Sequence, residues 1–190
     1  QILKPKNYRP CKMGESIYYV RPAMPNVFYL AYGSNLHPLR LAARVPSARV
    51  IGVVEMPGYM LAFHKRSIDG SGKCLIYAEQ SQHHKMYGVL YKFDGQEKAA
   101  LDTAEGKGSG YCEQLVKFPL NGETYTPYVY VAQSTHIDSS LVPYHWYKDL
   151  VLAGARYHDF PAEYITSIKA TPSKPDLNTK RKQENENLLK

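Results

Sequence analysis

The sequence predicts an α+β fold: a small mixed-sheet β-barrel, or strongly curved sheet, with flanking helices. Three observations predict it. The text between Ala48 and Tyr130 is mostly strand-like, in short runs punctuated by Gly, Pro and Asn-Gly turns. The clearest helical patterns come late, after residue 141. A chain of 190 residues that is 44% hydrophobic and 22% charged suits one domain with a substantial core and is thin for two.

Residues 1–27 carry Pro5, Pro10, Pro22 and Pro25, which interrupt any periodicity, so this stretch reads as an extended arm. Residues 28–32 form an apolar, aromatic run stopped by Gly33, a buried strand entering a turn. Residues 37–44 read as a short helix with Pro38 in its first turn. Strands follow at 49–54, 59–64 and 73–79, separated by Pro57-Gly58 and by a Gly-rich turn at 69–72. Residues 86–93 form another. Asp94 is placed to cap a helix over 96–105, with Glu97 as its capping-box partner and Gly106 as terminator. Runs 114–120 and 124–132 flank Asn121-Gly122, a strong hairpin signal. Helices are expected over 141–156 and 161–169. Residues 171–190 are polar and charged and read as a disordered tail. The expected organisation is therefore an arm at 1–27, a folded domain at 28–170 and a tail at 171–190.

The net charge of +7 is uneven. The arm holds +4 and the tail +2, leaving +1 for the domain between. A nearly neutral body does not read as a nucleic-acid groove, and basic ends usually serve as solubilising arms. No run approaches the roughly 18–20 apolar residues of a membrane span. Three cysteines, Cys11, Cys74 and Cys112, include no C-x-x-C pair and cannot all be paired within one chain, which favours a reducing, cytoplasmic compartment. Walker, G-x-G-x-x-G, G-x-S-x-G and H-E-x-x-H patterns are absent, and the adjacent His83-His84 has poor metal geometry. No metal or other cofactor is called for.

Two segments could carry chemistry. The turn at Tyr32-Gly33-Ser34-Asn35-Leu36 leaves a buried strand and leads into a helix. Backbone N–H groups clustered there could hold a carboxylate or polarise a carbonyl. From composition alone an ordinary turn capped by Ser34 or Asn35 is the plainer reading. In Leu101-Asp102-Thr103-Ala104-Glu105-Gly106, Glu105 stands at a helix C-terminus, facing the negative end of the macrodipole. If it is also desolvated, its pKa rises towards that of a general base near neutrality. A solvent-exposed glutamate is the plainer alternative.

Together the two segments resemble the γ-glutamyl cyclotransferase and AIG2-like superfamily. Tyr32 to Leu36 matches its Y-G-S-N-L loop, and Leu101-Asp102-x-x-Glu105-Gly106, about seventy residues on, is similar to its L-D-x-x-E-G segment. Tyr111 stands where a tyrosine is common, and residues 144–155, with Tyr147 and Ala153-Gly154-Ala155, look like its C-terminal helical stretch. The resemblance spans roughly residues 28–168. It implies a small mixed α/β barrel and an enzyme that releases 5-oxoproline from a γ-glutamyl compound by carbon–nitrogen acyl transfer. Glu105 is then the catalytic acid–base. Tyr32, Gly33, Ser34, Asn35 and Leu36 form the substrate loop, with Tyr111, Tyr130 and Tyr147 lining the pocket. The implied partner is a small γ-glutamyl molecule. Neither nucleic acid nor membrane is expected, and a homodimer is left open. A non-catalytic module that keeps the pocket is the alternative on the same fold.

Overall fold

The computed structural model describes residues 11–13, 16–18, 25–79 and 83–189. Its centre is a five-stranded sheet in the order β4-β7-β3-β11-β8. Strand β3 (Asn26–Ala31) lies between β7 (Lys85–Asp94), antiparallel to it, and β11 (Tyr128–Ala132), which runs parallel to it. β4 (Arg49–Pro57) and β8 (Tyr111–Leu115) form the two edges. Three hairpins complete the strands: β1–β2 (Cys11–Met13, Ser16–Tyr18), β5–β6 (Tyr59–Arg66, Gly72–Ala78) and β9–β10 (Phe118–Leu120, Glu123–Tyr125). The last turns through Asn121 and Gly122, both at positive φ (50° and 83°), the conformation the Asn-Gly pair predicts.

The α+β class is therefore observed, but the strands do not close into a barrel. After Gly58 the chain leaves the central sheet, and β5 ladders with β6 alone, so β4 and β8 stay open edges. The expected strands over 114–120 and 124–132 are each broken in two, between β8 and β9 and between β10 and β11. The breaks flank Lys117 and Pro127.

Among the described residues five helices accompany the sheet: α1 (Pro38–Ala42), α2 (Lys98–Glu105), α3 (His145–Tyr157), α4 (Ala162–Ala170) and α5 (Thr179–Glu186). Asp94 caps the turn before α2, its side chain accepting the Gln96 N–H at 2.9 Å. Glu97 does not reach back as a capping box; its carboxylate takes the Ser47 hydroxyl at 2.7 Å instead. The core contains an unusual number of tyrosines, with Tyr29, Tyr128 and Tyr130 in mutual ring contact. Such rings suit β surfaces and keep a polar tip for partners. Among the described residues no helix is long and apolar enough to cross a membrane.

The ends differ from expectation. Within 1–27, the described residues include the β1–β2 hairpin and the start of β3 at Asn26, and the rest of the arm lies outside the described residues. The segment 171–190 is not a structureless tail, because it docks through Asp176. That carboxylate, its side chain fully buried, accepts the Trp146 indole N–H (2.8 Å), both Arg181 nitrogens (2.6 Å each) and the Asn178 N–H (2.9 Å). Asn178 then caps α5. One satisfied buried ion can order a segment whose overall composition is that of a coil.

Replacing Asp176 by Ala is expected to cost about 2–4 kcal/mol in urea unfolding, since the buried indole and Arg181 lose their acceptor. The Arg181 guanidinium and other donors hold the Asp176 carboxyl well below the usual carboxylate range. Its stabilisation is therefore complete above its unfolded pKa of about 3.9 and is lost as pH falls below that. Urea midpoints measured from pH 6 down to pH 2 should fall more steeply for the wild type than for Asp176→Asn.

Candidate active site

The site is built where β3 runs out. Gly33 leads a 3₁₀ turn, Ser34–Leu36, closed by the Leu36 N–H donating to the Gly33 carbonyl at 3.0 Å. Leu36 is fully buried and anchors the turn. Its carbonyl accepts the Tyr91 hydroxyl at 2.9 Å, and His158 Nε2 stands 2.9 Å from the same oxygen. Helix α3 presses against the turn from behind. A Cβ on Gly154 would lie 2.5 Å from the Leu36 Cβ and 2.7 Å from the His37 nitrogen, so the Ala-Gly-Ala stretch supplies the flat surface that lets the two approach.

Glu105 enters from the other side as the last residue of α2, which Gly106 ends in the left-handed conformation (φ 67°). The Asn35 amide donates to Glu105 Oε1 at 2.9 Å. Arg44 donates from Nη1 to the same oxygen and also to Asn35 Oδ1, the latter at 2.8 Å. Asn35 is itself buried and also donates to the Tyr29 hydroxyl at 3.1 Å. The sequence suggests a carboxylate burdened by the helix terminus and by desolvation. The structure instead gives it an amide donor and a counter-charge, while its side chain stays 18% exposed.

Tyrosines wall the inner chamber, which is lined by Tyr29, Tyr32, Tyr111, Tyr130 and Tyr147 together with Gly33, Ser34, Asn35, Cys74 and Glu105. It holds about 270 Å³ of empty space up to its mouth. Each phenol is fixed. Tyr32 donates to the Tyr130 carbonyl (2.6 Å), Tyr130 to Asp102 (2.6 Å) and Tyr111 to the Cys74 carbonyl. Tyr147 accepts the Cys74 N–H at 3.2 Å. Burial pushes all five phenols upward and the Cys74 thiol to about 12.

An outer chamber opens from the same waist. Ser34, Glu105, Tyr111 and Tyr147 belong to both, and the outer part adds Arg40, Arg44, Lys65, Ser67 and Lys73. Arg40 donates to the Ser34 hydroxyl (3.0 Å) and to Asn185 of α5 (2.9 Å). Lys73 pairs with Asp69 at 2.7 Å.

The structure thus gathers Glu105, Tyr32, Gly33, Ser34, Asn35, Tyr111, Tyr130 and Tyr147 around one cavity, with Leu36 behind it in the core. Sequence reasoning missed Tyr29, Cys74, Arg40, Arg44 and Lys65, and gave no role to Asp102; the loop 67–73, a candidate lining by position, does supply Ser67 and Lys73. Arg40 and Arg44 carried a usable signal: they are four apart within the helix expected over 37–44, a spacing that puts side chains on one face.

The family model described as "Gamma-glutamyl cyclotransferase, AIG2-like" matches residues 29–149. The chain is 30% identical over 176 residues to the human protein named gamma-glutamylcyclotransferase, covering 89% of this chain and 90% of that one. It is 29% identical over 168 residues to the bovine protein of the same name, covering 85% and 87%. A solved structure described as a gamma-glutamyl cyclotransferase superposes with a TM-score of 0.74 at 27% identity, covering 87% of this chain and 98% of that one.

Gly154→Ala should lower stability by about 1–3 kcal/mol, because its Cβ collides with the Leu36–His37 backbone. Helix propensity alone favours Ala by about 1 kcal/mol, the opposite sign. Chemical unfolding decides between the two.

Proposed function

Since the chain belongs to the γ-glutamyl cyclotransferase, AIG2-like family, we infer that it is an enzyme converting a γ-glutamyl compound to 5-oxoproline and a free amine or amino acid. The site residues and the mechanism below are our reading of its geometry. The observation that carries the reading is that Glu105 is the one carboxylate among the described residues lining the inner chamber, and Asn35 and Arg44 hold it there. The other ionisable groups there are five phenols and a thiol, all held protonated by burial.

The γ-glutamyl group occupies the inner chamber, with its γ-carbonyl at the Gly33–Asn35 turn. The first N–H groups of a helical turn lack acceptors within it, so they are suited to an anionic oxygen. The α-amine enters as ammonium and is not nucleophilic until Glu105 takes a proton from it. Its lone pair then attacks the γ-carbon, closing a five-membered ring, and the carbonyl oxygen becomes the oxyanion. Each good donor to that oxyanion contributes about 3–4 kcal/mol. When the tetrahedral carbon collapses, the bond to the leaving nitrogen breaks, Glu105 returns its proton to that nitrogen, and the second proton that the ring nitrogen sheds follows by the same carboxylate, so that a neutral lactam and an ammonium product leave. Nucleophile and electrophile belong to one molecule, so holding the chain folded removes much of the barrier, of order 7–11 kcal/mol at best. Asn35 and Arg44 fix the carboxylate, and Asp102 fixes Tyr130. Tyr147 faces the same chamber with its hydroxyl against Cys74.

We place this chemistry in the domain spanning 28–170, in a reducing, cytoplasmic setting, which the free Cys74 and Cys112 support.

Glu105→Gln keeps the shape and removes the base. It should lower 5-oxoproline formation by about 10²–10⁴-fold while thermal unfolding stays within a few degrees of the wild type. Mass spectrometry of product from a panel of γ-glutamyl substrates is the check. A folded Glu105→Gln protein with undiminished turnover would overturn the assignment. A wild-type protein that binds 5-oxoproline but turns over no γ-glutamyl compound would be a non-catalytic module.

A further inference from the structure

Three side chains join the C-terminal helix to the turn at the site. Asn185 of α5 accepts Arg40 Nη1 at its Oδ1 (2.9 Å), and Arg40 Nε donates to the Ser34 hydroxyl oxygen (3.0 Å). A guanidinium is a rigid planar fork, so acceptors on two of its nitrogens fix its position and its tilt together. Ser34 itself is only 7% exposed and borders both chambers.

The Asn185 end of this chain is fixed in turn. Its amide nitrogen donates to the Arg181 carbonyl at 2.8 Å, one turn earlier in α5, which leaves the amide oxygen facing Arg40. Arg181 and Asn185 are four apart and share a face of the helix, and Arg181 is clamped to the buried Asp176. α5 lies beyond residues 29–149, which the family model matches. Support for the turn therefore comes from outside the stretch that carries the loop and carboxylate motifs.

Arg40 needs that hold. Burial and the like charge of Arg44, four residues on, lower its guanidinium to about 10. Among the described residues its hydrogen bonds go only to neutral groups, Ser34 and Asn185, and no carboxylate pairs with it. Of these two acceptors, Asn185 is the one that lies outside the turn. With Arg40 donating to its oxygen, the Ser34 hydroxyl has to point its own proton away from the guanidinium. A serine hydroxyl without such a donor rotates freely among its staggered positions.

We propose that Asn185, acting through Arg40, is a positioning residue that turns the Ser34 hydroxyl proton onto the γ-carbonyl oxygen of the bound γ-glutamyl group, where it joins the loop N–H groups in stabilising the oxyanion. The proposal rests on the cyclotransferase reading and adds a donor to it, together with the helix that aims that donor. A donor to an oxygen whose charge grows in the transition state acts on kcat and little on KM.

The test follows 5-oxoproline release from the γ-glutamyl substrate that the wild type turns over fastest. Asn185→Ala removes the acceptor while favouring the helix. Its kcat should fall roughly tenfold with KM within about twofold of the wild type. Asn185→Asp keeps an oxygen at that point and should hold kcat within about threefold. Ser34→Ala should lose at least as much as Asn185→Ala, and combining the two should lower kcat by less than about twofold beyond Ser34→Ala, because no hydroxyl is left to aim. A merely structural role would slow both backgrounds by the same factor. Arg40→Lys cannot span both acceptors and should repeat the loss in kcat while leaving α5 untouched. Urea unfolding identifies the folded variants. Folded Asn185→Ala and Arg40→Lys proteins with undiminished kcat, or an Asn185→Ala loss that persists in full beside Ser34→Ala, overturn the proposal and leave the cyclotransferase reading standing. Absence of 5-oxoproline from the wild type across the γ-glutamyl panel removes both.

Discussion

The layout of the domain follows from keeping the Glu105 carboxylate within hydrogen-bond reach of Asn35, seventy residues earlier. Strand pairing sets the frame for this. β7 runs antiparallel to β3, so Asp94 at its end lies beside Asn26 at the beginning of β3. From there β3 travels about 20 Å over its six residues. The chain after Asp94 returns over one 3₁₀ turn and the eight residues of α2, about 18 Å by helical rise. The two distances agree, so the last residue of α2 arrives where the Gly33–Asn35 turn begins. Arg44 then bridges the amide and the carboxylate from a third direction. A shorter α2 would strand the carboxylate beside the middle of β3.

That same arithmetic explains what could be read beforehand. The two site segments were legible because each is compact: a Gly-stopped aromatic strand, and a capped helix ending in Glu-Gly. The strands of the central sheet and the Asn-Gly hairpin were legible from periodicity and turn chemistry, which act within a few residues. Closure was not legible. Whether β5 ladders onto the central sheet or only onto β6 depends on where the chain goes after Gly58, and no local pattern fixes that. The basic residues of the outer chamber were hidden for a related reason: Lys65 lies just past the strand expected at 59–64, and only the folded chain brings it to the chamber wall. Asp102 gains its role only from Tyr130, which comes from β11 to donate to it.

The C-terminal segment shows how composition misleads when one interaction dominates. Taken as a string, residues 171–190 lack the apolar surface to offset ordering entropy. Asp176 supplies the order by another route, accepting four donors at a buried point beside Trp146. From that anchor α5 runs back towards the site, where Asn185 holds Arg40 and Arg40 holds the Ser34 hydroxyl. The segment that looked dispensable is thus joined to the substrate loop through a chain of three side chains. Damage at Asp176 therefore reaches beyond stability to the placing of Ser34.

The division of the cavity fits the demands of the proposed reaction. A single carboxylate has to take a proton from the amine that stays with the glutamyl group and give it to the amine that leaves, and these lie on opposite sides of the γ-carbon. A base buried wholly in either chamber could do only half of this. Glu105 borders both, as do Ser34, Tyr111 and Tyr147. The inner walls are neutral donors, which can hold a zwitterionic glutamyl group without competing for the proton in transit. The fixed positive charge is confined to the outer side, where it cannot repel the α-ammonium while that group surrenders its proton. Moving a lysine inward would therefore weaken the ammonium's entry more than it could strengthen binding of the leaving group, which is a physical reason for the phenols and the cations to be kept on separate sides of the carboxylate.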